Sequence, residues 1–316
     1  MNNLLRLIGR RLVALPIMVV GVSFLVFFMM SLSPIDPAYS ALGETATPEA
    51  LEEYRVQHGL NDSFFVQYGR YLWNMLHGDL GTYGVGTSNH VSDLVAQALP
   101  VTLQLTFLGL LFAVLLSFPL GVLAALYRDR WPDQVIRVFS VIGIGTPSFW
   151  LAALMVLGFV GTLPVSGPLP ALTEDPSGWF LRMLLPSIAL AVPVVGQMTR
   201  VVRTSMVEEL DRDYVRTAIG GGIPKRIVVA RNVLRNALIT PVTVLGLRIG
   251  YLMGGAVVIE IIFSIDGMGK VLLKGIQENW VTLVQGGALV VAIAFIVVNI
   301  IVDMLYLLIN PRIRSV

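Results

Sequence analysis

The sequence predicts an all-α membrane protein with six transmembrane helices. Hydrophobic residues make up 55% of the 316 residues, charged residues only 13%, and the mean hydropathy is +0.78. A soluble domain of ordinary composition carries about 25% charged residues. The apolar residues are concentrated in runs of about 20, the length that a helix needs to cross a bilayer. These observations place the chain among integral membrane proteins.

The first transmembrane helix is predicted in residues 1–33. Three arginines, Arg6, Arg10 and Arg11, precede an apolar run over residues 12–32. At a rise of about 1.5 Å per residue, this run is long enough to span the hydrocarbon core. A secretory signal peptide would end in a small-x-small cleavage site. Because this run has none, we expect it to remain as a membrane helix.

Residues 34–98 predict an external cap between the first and second transmembrane helices. Thr47 followed by Pro48 is typical of an N-cap and first helical position, and residues 64–76 predict a second short helix. The segment as a whole is too polar for us to expect it in lipid. Its acidic residues, offset only by Arg55 and Arg70, are Asp36, Glu44, Glu49, Glu52, Glu53, Asp62, Asp79 and Asp93.

The histidines of the chain, His58, His77 and His90, all lie in this cap. Their spacing matches no metal-ligand motif, so we expect solvated side chains and no metal site. The absence of cysteine excludes disulfides and thiol chemistry.

Residues 99–316 predict a core of five further helices. Pro147 lies inside the third predicted span, and its missing N–H predicts a kink there. A broken membrane helix often lines a pathway, although simple packing is a common explanation. The five predicted spans are Pro100–Tyr127, Val138–Leu163, Leu181–Val201, Leu238–Phe263 and Leu283–Ile309.

The basic residues predict the topology of these spans. Basic residues number 3 before the first span, 3 in the loop after the second span, 8 in the stretch from Arg200 to Arg235 and 2 in the C-terminal tail, which is 16 of the 22 Lys and Arg. Cytoplasmic loops carry an excess of Lys and Arg. We therefore expect both termini in the cytoplasm.

The loop over residues 202–236 contains an amphipathic segment. Its apolar residues recur at helical spacing, which predicts one helix from Val207 to Ile219. Three glycines starting at Gly220 then end the helix, and Pro224 prevents its immediate continuation. A second, basic helix is predicted from Lys225. The segment could be an ordinary solvated loop, a helix resting on lipid headgroups, or a docking helix.

A resemblance favours docking. Residues 214–247 read YVRTAIGGGIPKRIVVARNVLRNALITPVTVLGL, which resembles a loop of permease subunits of ATP-binding-cassette importers, in the dipeptide/oligopeptide/nickel family. The Arg216-Thr217-Ala218 run with Gly222 four residues on is similar to the family motif. Residues 33–37 (SPIDP), 59–82 and 299–303 also resemble the family.

This resemblance implies that the amphipathic segment is a coupling helix, which docks on a separate ATPase subunit. The residues that it assigns to this role are Leu210, Asp213, Tyr214, Val215, Arg216, Thr217, Ala218 and Gly222. It further implies a second homologous permease chain, one or two ATPase subunits and an extracytoplasmic substrate-binding protein, in a bacterial inner membrane with lipid contact and no nucleic acid.

The sequence contains no motif for catalysis. It lacks the phosphate-binding G-x-x-x-x-G-K-[ST], the zinc motif H-E-x-x-H and the nucleophile elbow G-x-S-x-G. We expect no enzyme activity and no cofactor on this chain, with ATP and Mg on the partner ATPase.

Four residues are candidates for a translocation pathway: Arg248, Glu260, Gln197 and Pro147. A charge near the centre of a membrane helix costs at least about 2.5–3.5 kcal/mol, so charged residues there face a cavity or a partner. Arg248 and Glu260 are twelve residues apart, or about 18 Å, too far to pair directly. A structural role for both is equally compatible with the sequence. An arginine at position 248 would suit an anionic substrate group.

The predicted function is the transmembrane permease subunit of an ATP-driven importer of dipeptides or oligopeptides. The alternative within the family is a nickel or metal-chelate permease, which the segment at residues 128–156 resembles at least as closely. A stand-alone secondary transporter would predict inverted internal repeats, and none is visible. An intramembrane hydrolase is the weakest alternative.

Overall fold

The computed structural model describes residues 2–43, 45–85 and 89–309, with side chains from Val13 to Met304 within these ranges except at Asp303. The described side chains do not include Glu44 or the arginines at positions 6, 10, 11, 312 and 314. In the first part of the chain, the elements are α1 Asn2–Ser31, α2 Pro37–Leu42, α3 Pro48–His58, α4 Phe64–Leu76, the antiparallel pair β1 Thr82–Tyr83 and β2 Asn89–His90, and α5 Val91–Leu126.

The second part of the described chain is helical. Its elements are α6 Trp131–Gly145, α7 Ser148–Phe159, α8 Pro176–Leu210, α9 Asp213–Gly220, α10 Lys225–Val228, a π-helical turn at Val229–Val233, α11 Leu234–Ala237, α12 Ile239–Ile262, α13 Met268–Gln277 and α14 Val281–Ile309.

Five of these helices are long and apolar enough to cross a membrane, namely α1, α5, α8, α12 and α14. The pair α6 and α7 is bent by 100°, and it makes a sixth candidate span if counted as one. The all-α membrane fold is confirmed. The kink predicted at Pro147 is also confirmed, but it is a full break, since Thr146 has extended backbone angles (φ −92°, ψ 114°). A residue before proline avoids the α region for steric reasons.

The described residues divide into two compact units. The first unit contains the chain up to Thr102 together with Ser264–Ile300, and the second contains Leu103–Phe263 and the chain from Ile301. The predicted cap over residues 34–98 is thus not a unit by itself, because it groups with α1, α13 and most of α14. Long-range contacts within the first unit explain this grouping, since residues of α5, α13 and α14 share one apolar cluster (Val91, Val95, Ala98, Met268, Val271 and Leu283).

Local signals in the first unit act as predicted. Thr47 caps α3, because its Oγ1 accepts a hydrogen bond from the amide of Ala50 (3.3 Å), and Pro48 is the first helical residue. The helix predicted over residues 64–76 is confirmed at both ends.

The second unit is organised around α8, which packs against α6, α7 and α12. Helices α6 and α8 approach closely because small residues lie between them. A Cβ at Gly196 of α8 would lie only 2.5 Å from the carbonyl oxygen of Ser140 and 3.1 Å from Ile144 of α6. Small residues at such positions allow the backbones of membrane helices to approach.

Gly196→Ala should therefore destabilise the second unit. The added methyl group meets backbone that cannot rotate away, and overpacking of this kind costs about 1–3 kcal/mol in the free energy of unfolding. The measurement is the thermal unfolding midpoint of the purified chain in detergent. Gly158→Ala in α7 is the matched control, since a Cβ there meets no atom within 4 Å. Equal midpoints for the two variants would contradict the assigned packing.

Candidate functional site

The amphipathic segment is two helices and not one. Helix α8 ends at Leu210, Arg212 has extended backbone angles (φ −68°, ψ 146°), and α9 begins at Asp213. The predicted single helix from Val207 to Ile219 is therefore wrong, and Leu210 lies on the helix before the break. The apolar spacing continues in phase across the break, so the helical periodicity alone does not detect it.

The apolar ridge of this segment faces its own chain. Val215 is buried in a cluster with residues of α5, α8, α10 and α11 and the π-turn, and Leu210, Tyr214 and Ala218 pack against it. We call this the inner cluster; its buried members are Ala125, Val202, Met206, Val215, Val228, Val233 and Ala237. Much of this apolar ridge is thus covered within the chain, since Leu210, Tyr214 and Ala218 are partly buried. Ile219, at the end of the same face, stays 41% exposed.

Glu209 holds α9 in place by polar contacts. Its Oε1 accepts hydrogen bonds from the hydroxyl of Tyr214 (3.0 Å) and from Nδ2 of Asn236 (3.3 Å), while Arg212 lies 3.6 Å from Oε2. Partial burial raises the pKa of Tyr214, so its hydroxyl stays protonated and able to donate. One carboxylate thereby ties together the end of α8, α9 and α11.

The opposite face of α9 is open. The side chains of Asp213 and Arg216 are 99% and 73% exposed, and the side chain of Thr217 is also exposed. The glycine run ends the helix as predicted. Gly222 has the left-handed φ of +86°, which a residue with a Cβ adopts only with strain, and the amide of Ile223 donates to the carbonyl of Ala218 (3.1 Å).

The basic segment after α9 leads into α12 as predicted, but not as one regular helix. It consists of α10, the π-helical turn and α11. Single π-turns of this kind often occur at functional sites. Val228, Val233 and Ala237 anchor the three pieces in the inner cluster.

A buried carboxylate that our sequence analysis did not single out joins α6 to α8. Asp133 near the start of α6 accepts two hydrogen bonds from Arg203 of α8 (2.6 and 2.7 Å) and one from Arg137 (2.9 Å). The amide of Asp129 donates a fourth (2.9 Å). The one signal for this carboxylate in the sequence is its position: Asp133 follows Trp131-Pro132, in the first turn of a helix.

A second ion pair joins the same two parts of the unit. Arg128, in the loop between α5 and α6, lies 2.9 Å from a carboxylate oxygen of Asp211 at the α8–α9 break. Both side chains are at least half exposed, so this pair contributes little to stability. Its position nevertheless connects the loop to the break.

Among the pathway candidates, Gln197 and Arg248 lie at the same level of α8 and α12. A Cβ at Gly255 would lie 2.9 Å from Leu190, and Ser205 and Thr240 line one cleft. Between these two points α8 runs forward from residue 190 to residue 205, while α12 runs backward from residue 255 to residue 240. The two helices are therefore antiparallel, and each stretch is fifteen residues long. Halfway along, Gln197 is level with Arg248.

Both residues carry a buried polar atom with no hydrogen bond from the described residues, Oε1 of Gln197 and Nε of Arg248. Gln197 also lines an open cleft of about 550 Å³, whose other lining residues are Ile144, Arg200, Val201, Thr204, Ser205, Glu208, Thr240 and Val244. A polar ligand group could satisfy such atoms.

Glu260 and Pro147 do not join this pair. Glu260 is fully buried near the other end of α12, three turns away from Arg248, and Pro147 is exposed at the bend between α6 and α7. The four candidates therefore do not form one site, and only Gln197 and Arg248 lie at the same level of two packed helices.

A further buried arginine, Arg182 of α8, lies at the Glu260 end of α12. Its guanidinium donates to backbone carbonyls of Val165 (3.2 Å), Gly167 (3.2 Å) and Phe263, the C-cap residue that follows α12. A cation is stabilised at a helix C-terminus by the helix dipole. The signal for Arg182 in the sequence is a charged residue directly after Leu181, where the predicted fourth span begins.

Comparisons with known proteins agree with one another. The family model described as "Binding-protein-dependent transport system inner membrane component" matches residues 117–315, and the model of the corresponding N-terminal segment matches residues 4–106. A crystal structure titled as an amino acid ABC transporter with histidines is similar in fold, with a TM-score of 0.53 at 15% identity over 70% of this chain and 94% of that one.

Individual relatives match nearly the whole chain. The glutathione transport system permease protein of Salmonella paratyphi A is 36% identical over 98% of this chain and 99% of its own length. A protein named for D,D-dipeptide transport from Escherichia coli K12 is 37% identical over 97% of both chains. A protein named for peptide transport from Brucella abortus is 38% identical over 95% of this chain and 96% of its own.

The Asp133 pair should be the strongest electrostatic contact of this region. Asp133→Asn keeps the shape of the side chain but leaves Arg203 without its carboxylate, and hydrogen bonds to charged groups contribute about 1.5–3 kcal/mol. We expect the free energy of unfolding to fall by about this amount, measured by chemical unfolding in detergent.

The matched control is Asp129→Asn. The carboxylate of Asp129 is 75% exposed and lies 3.6 Å from Arg128 and 3.8 Å from Arg137, so its loss should change stability by less than about 1 kcal/mol. If Asp129→Asn destabilised the chain as much as Asp133→Asn, burial would not be what makes the Asp133 pair strong.

Proposed function

This chain belongs to the family of binding-protein-dependent transport system inner membrane components, and we propose that it is the peptide permease subunit of an ATP-driven importer. It is a multi-pass inner membrane protein. The observation that carries the substrate class is that relatives covering at least 95% of the chain are named for peptide, D,D-dipeptide and glutathione transport. Glutathione is itself a tripeptide. These names favour peptides over a nickel chelate.

The proposed assembly contains other chains. The family implies an extracytoplasmic binding protein and ATPase partners. We propose that ATP and Mg bind on one or two separate ATPase subunits, since this sequence has no phosphate-binding motif, and that no cofactor binds here. A second homologous permease chain completes the pathway. Both termini and α9 lie on the cytoplasmic side, where the basic loops belong.

The coupling role is divided between the two faces of α9. Its open face, formed by Asp213, Arg216 and Thr217, contacts the ATPase, and Gly222 sets where the chain turns away. Its inward face supports the helix through Tyr214, Val215 and Ala218, with Leu210 of α8 packed beside them.

A displacement of α9 is carried onward by the inner cluster. The cluster joins α9 to α5 through Ala125, to α8 through Val202 and Met206, and to the basic segment that leads into α12. Close-packed interiors transmit strain because they have few voids. Movement at the ATPase surface therefore reaches α8 and α12, the two helices that carry Gln197 and Arg248.

We assign Gln197 and Arg248 to the substrate pathway, where a peptide supplies the missing hydrogen-bond partners. The guanidinium suits a terminal carboxylate, and the amide oxygen suits a backbone or terminal N–H. Glu260 compensates the positive charge of Arg182 at the same end of α12. The break at Pro147 allows α6 and α7 to change their angle.

The direct test is uptake into vesicles that contain this chain with its co-purifying subunits and its binding protein. ATP-dependent uptake of a labelled dipeptide or tripeptide is expected. Uptake of a nickel chelate with none of the peptides would overturn the substrate class, and uptake by this chain alone would identify a secondary transporter.

Arg216→Glu tests the coupling face. Reversal of an exposed charge at an interface should weaken ATPase binding about tenfold, or about 1.4 kcal/mol, and lower substrate-stimulated ATP hydrolysis. Arg130→Glu, the same change on the exposed loop before α6, is the control. Stimulation unaffected by Arg216→Glu would remove α9 from the ATPase interface.

Tyr214→Ala separates the two faces of α9. Because Tyr214 packs on the inner cluster, we expect this variant to lower the unfolding midpoint of the chain itself, whereas Arg216→Glu leaves it unchanged. Gly222→Val should also impair coupling, since valine strains the left-handed turn. A wild-type midpoint for Tyr214→Ala would contradict the supporting role.

Arg248→Gln tests the pathway. If the guanidinium binds the carboxylate of the peptide, uptake of a free-acid peptide should fall about tenfold or more, while uptake of its C-terminal amide changes little. A structural role would instead lower the unfolding midpoint and affect both peptides equally. Normal uptake of both peptides at a normal midpoint would exclude both roles.

A further inference from the structure

Helix α4 has three distinct faces. One face packs on α1 through aromatic side chains, with Phe64, Tyr68 and Tyr71 in ring contact with Phe24 and Phe27 at centroid distances of 5.3–5.9 Å. A second face is polar. A third face is apolar and uncovered in this chain.

The contacts with α1 fix the depth of α4. The candidate membrane span of α1 ends at Ser31. Phe27 is four residues and Phe24 seven residues before that end, which is about 6 and 10 Å at the helical rise. The hydroxyl of Tyr68 reaches further, to the carbonyl of Val20 (3.1 Å). Helix α4 therefore crosses α1 about 6–10 Å below the end of the span, which is the depth at which interfacial helices lie.

The polar face of α4 turns away from that depth. Nε2 of Gln67 donates to the carbonyls of Leu60 and Asp62 (2.8 Å each). Arg70 donates to the carboxylate of Asp62 (2.7 Å) and to the carbonyl of His58 (2.9 Å). These partners all belong to the end of α3 or to the connection between α3 and α4. The one charged side chain of α4 is thus drawn towards the polar segment.

The uncovered face consists of large apolar side chains. Phe65 is 76% exposed, Trp73 65% and Leu76 70%, and Val66 adjoins them at 52%. At 100° per residue these side chains lie within about 100° of one another, with Gly69 among them. Asn74 and Gln67 lie on the far side of the helix, and Arg70 borders the apolar face next to Val66. A contiguous apolar face of this kind in water would be unusual.

We propose that α4 is an interfacial membrane helix whose outward face, formed by Phe65, Val66, Trp73 and Leu76, contacts bilayer lipid. The lipid surface of α1 continues into this face. Almost none of the α1 span is buried within the described chain, and its exposed side chains near the Ser31 end are also apolar, such as Leu25, Phe28 and Met29. The expectation that residues 34–98 stay out of lipid is thereby revised for α4.

A position at the membrane interface also explains why α4 is rich in aromatic residues. Aromatic residues are favoured at the membrane interface, where an apolar ring can lie in lipid with a polar edge near the headgroups. Trp73, 65% exposed on the outward face, fits this preference. Arg70 flanks the apolar face at the position from which it reaches the polar connection, as a snorkelling arginine does.

The test uses the absence of native cysteine. Trp73→Cys and Asn74→Cys, made singly in the full chain and purified with its partner subunits, are labelled with a small fluorophore in phosphatidylcholine vesicles. Both positions are exposed, and they lie on the apolar and polar faces of the same helical turn. Nitroxide-labelled lipids and aqueous iodide serve as quenchers, and Met29→Cys in α1 is the lipid-facing reference.

We expect lipid nitroxides to quench the probe at position 73 several-fold more than the probe at position 74, with iodide showing the reverse order. A nitroxide near the headgroup end of the acyl chain should quench position 73 more than one near the methyl end. Stronger iodide quenching at position 73 would overturn the proposal by placing the face in water. Protection of position 73 from both quenchers would also overturn it, because a partner chain would then cover the face.

Discussion

The close approach of α6 and α8 depends on the missing side chain at Gly196, and much of the second unit depends on this approach. It makes α8 the most buried of the candidate spans. The residue after Gly196 is Gln197, which lines the open cleft, and Arg203 lies two turns further on, opposite Asp133. Small residues at this contact, Gly196 of α8 and Gly143 of α6, thus allow the close packing beside which a pathway candidate and a buried ion pair are placed. Membrane helices use such contacts because lipid supplies no hydrophobic force between them.

The apolar ridge of α9 packs inward, and this determines which surface of the helix is left to bind a partner. An exposed apolar ridge would bind its partner by hydrophobic burial. In this chain that burial is intramolecular, so α9 is held in one orientation before any partner arrives. A preorganised surface loses less conformational entropy on binding. In the docking that we propose, the polar face would supply orientation and specificity, which is the usual contribution of charged groups at interfaces.

Buried charges in this chain are held mainly by backbone and by other helices, not by exposed ion pairs. Arg182 is surrounded by carbonyls from an irregular segment and from the end of α12, where backbone acceptors are left over by the helix geometry. Irregular backbone at membrane depth is tolerated where protein surrounds it. Arg248 differs, since its Nε has no such acceptor among the described residues, and this contrast separates a structural arginine from a candidate for binding.

The sequence by itself determined the class of fold, the approximate positions of five spans and several helix ends. These depend on composition, on the length of apolar runs and on local chemistry, such as Thr47 before Pro48 or the glycines after Ile219, and none of these needs a distant contact. It also offered Arg248 and Gln197 as separate candidates for the pathway.

Only the tertiary structure decided which face of each helix is covered. Periodicity shows that an apolar face exists but not which neighbour packs on it. The resemblance assigned Tyr214 and Val215 to contact with a partner, whereas the structure packs them on the inner cluster. The break at Arg212, the 100° bend at Pro147 and the shared level of Gln197 and Arg248 likewise depend on contacts between residues far apart in the chain. The depth of α4 has the same origin, because it is set by the rings of α1 and not by the residues of α4 alone.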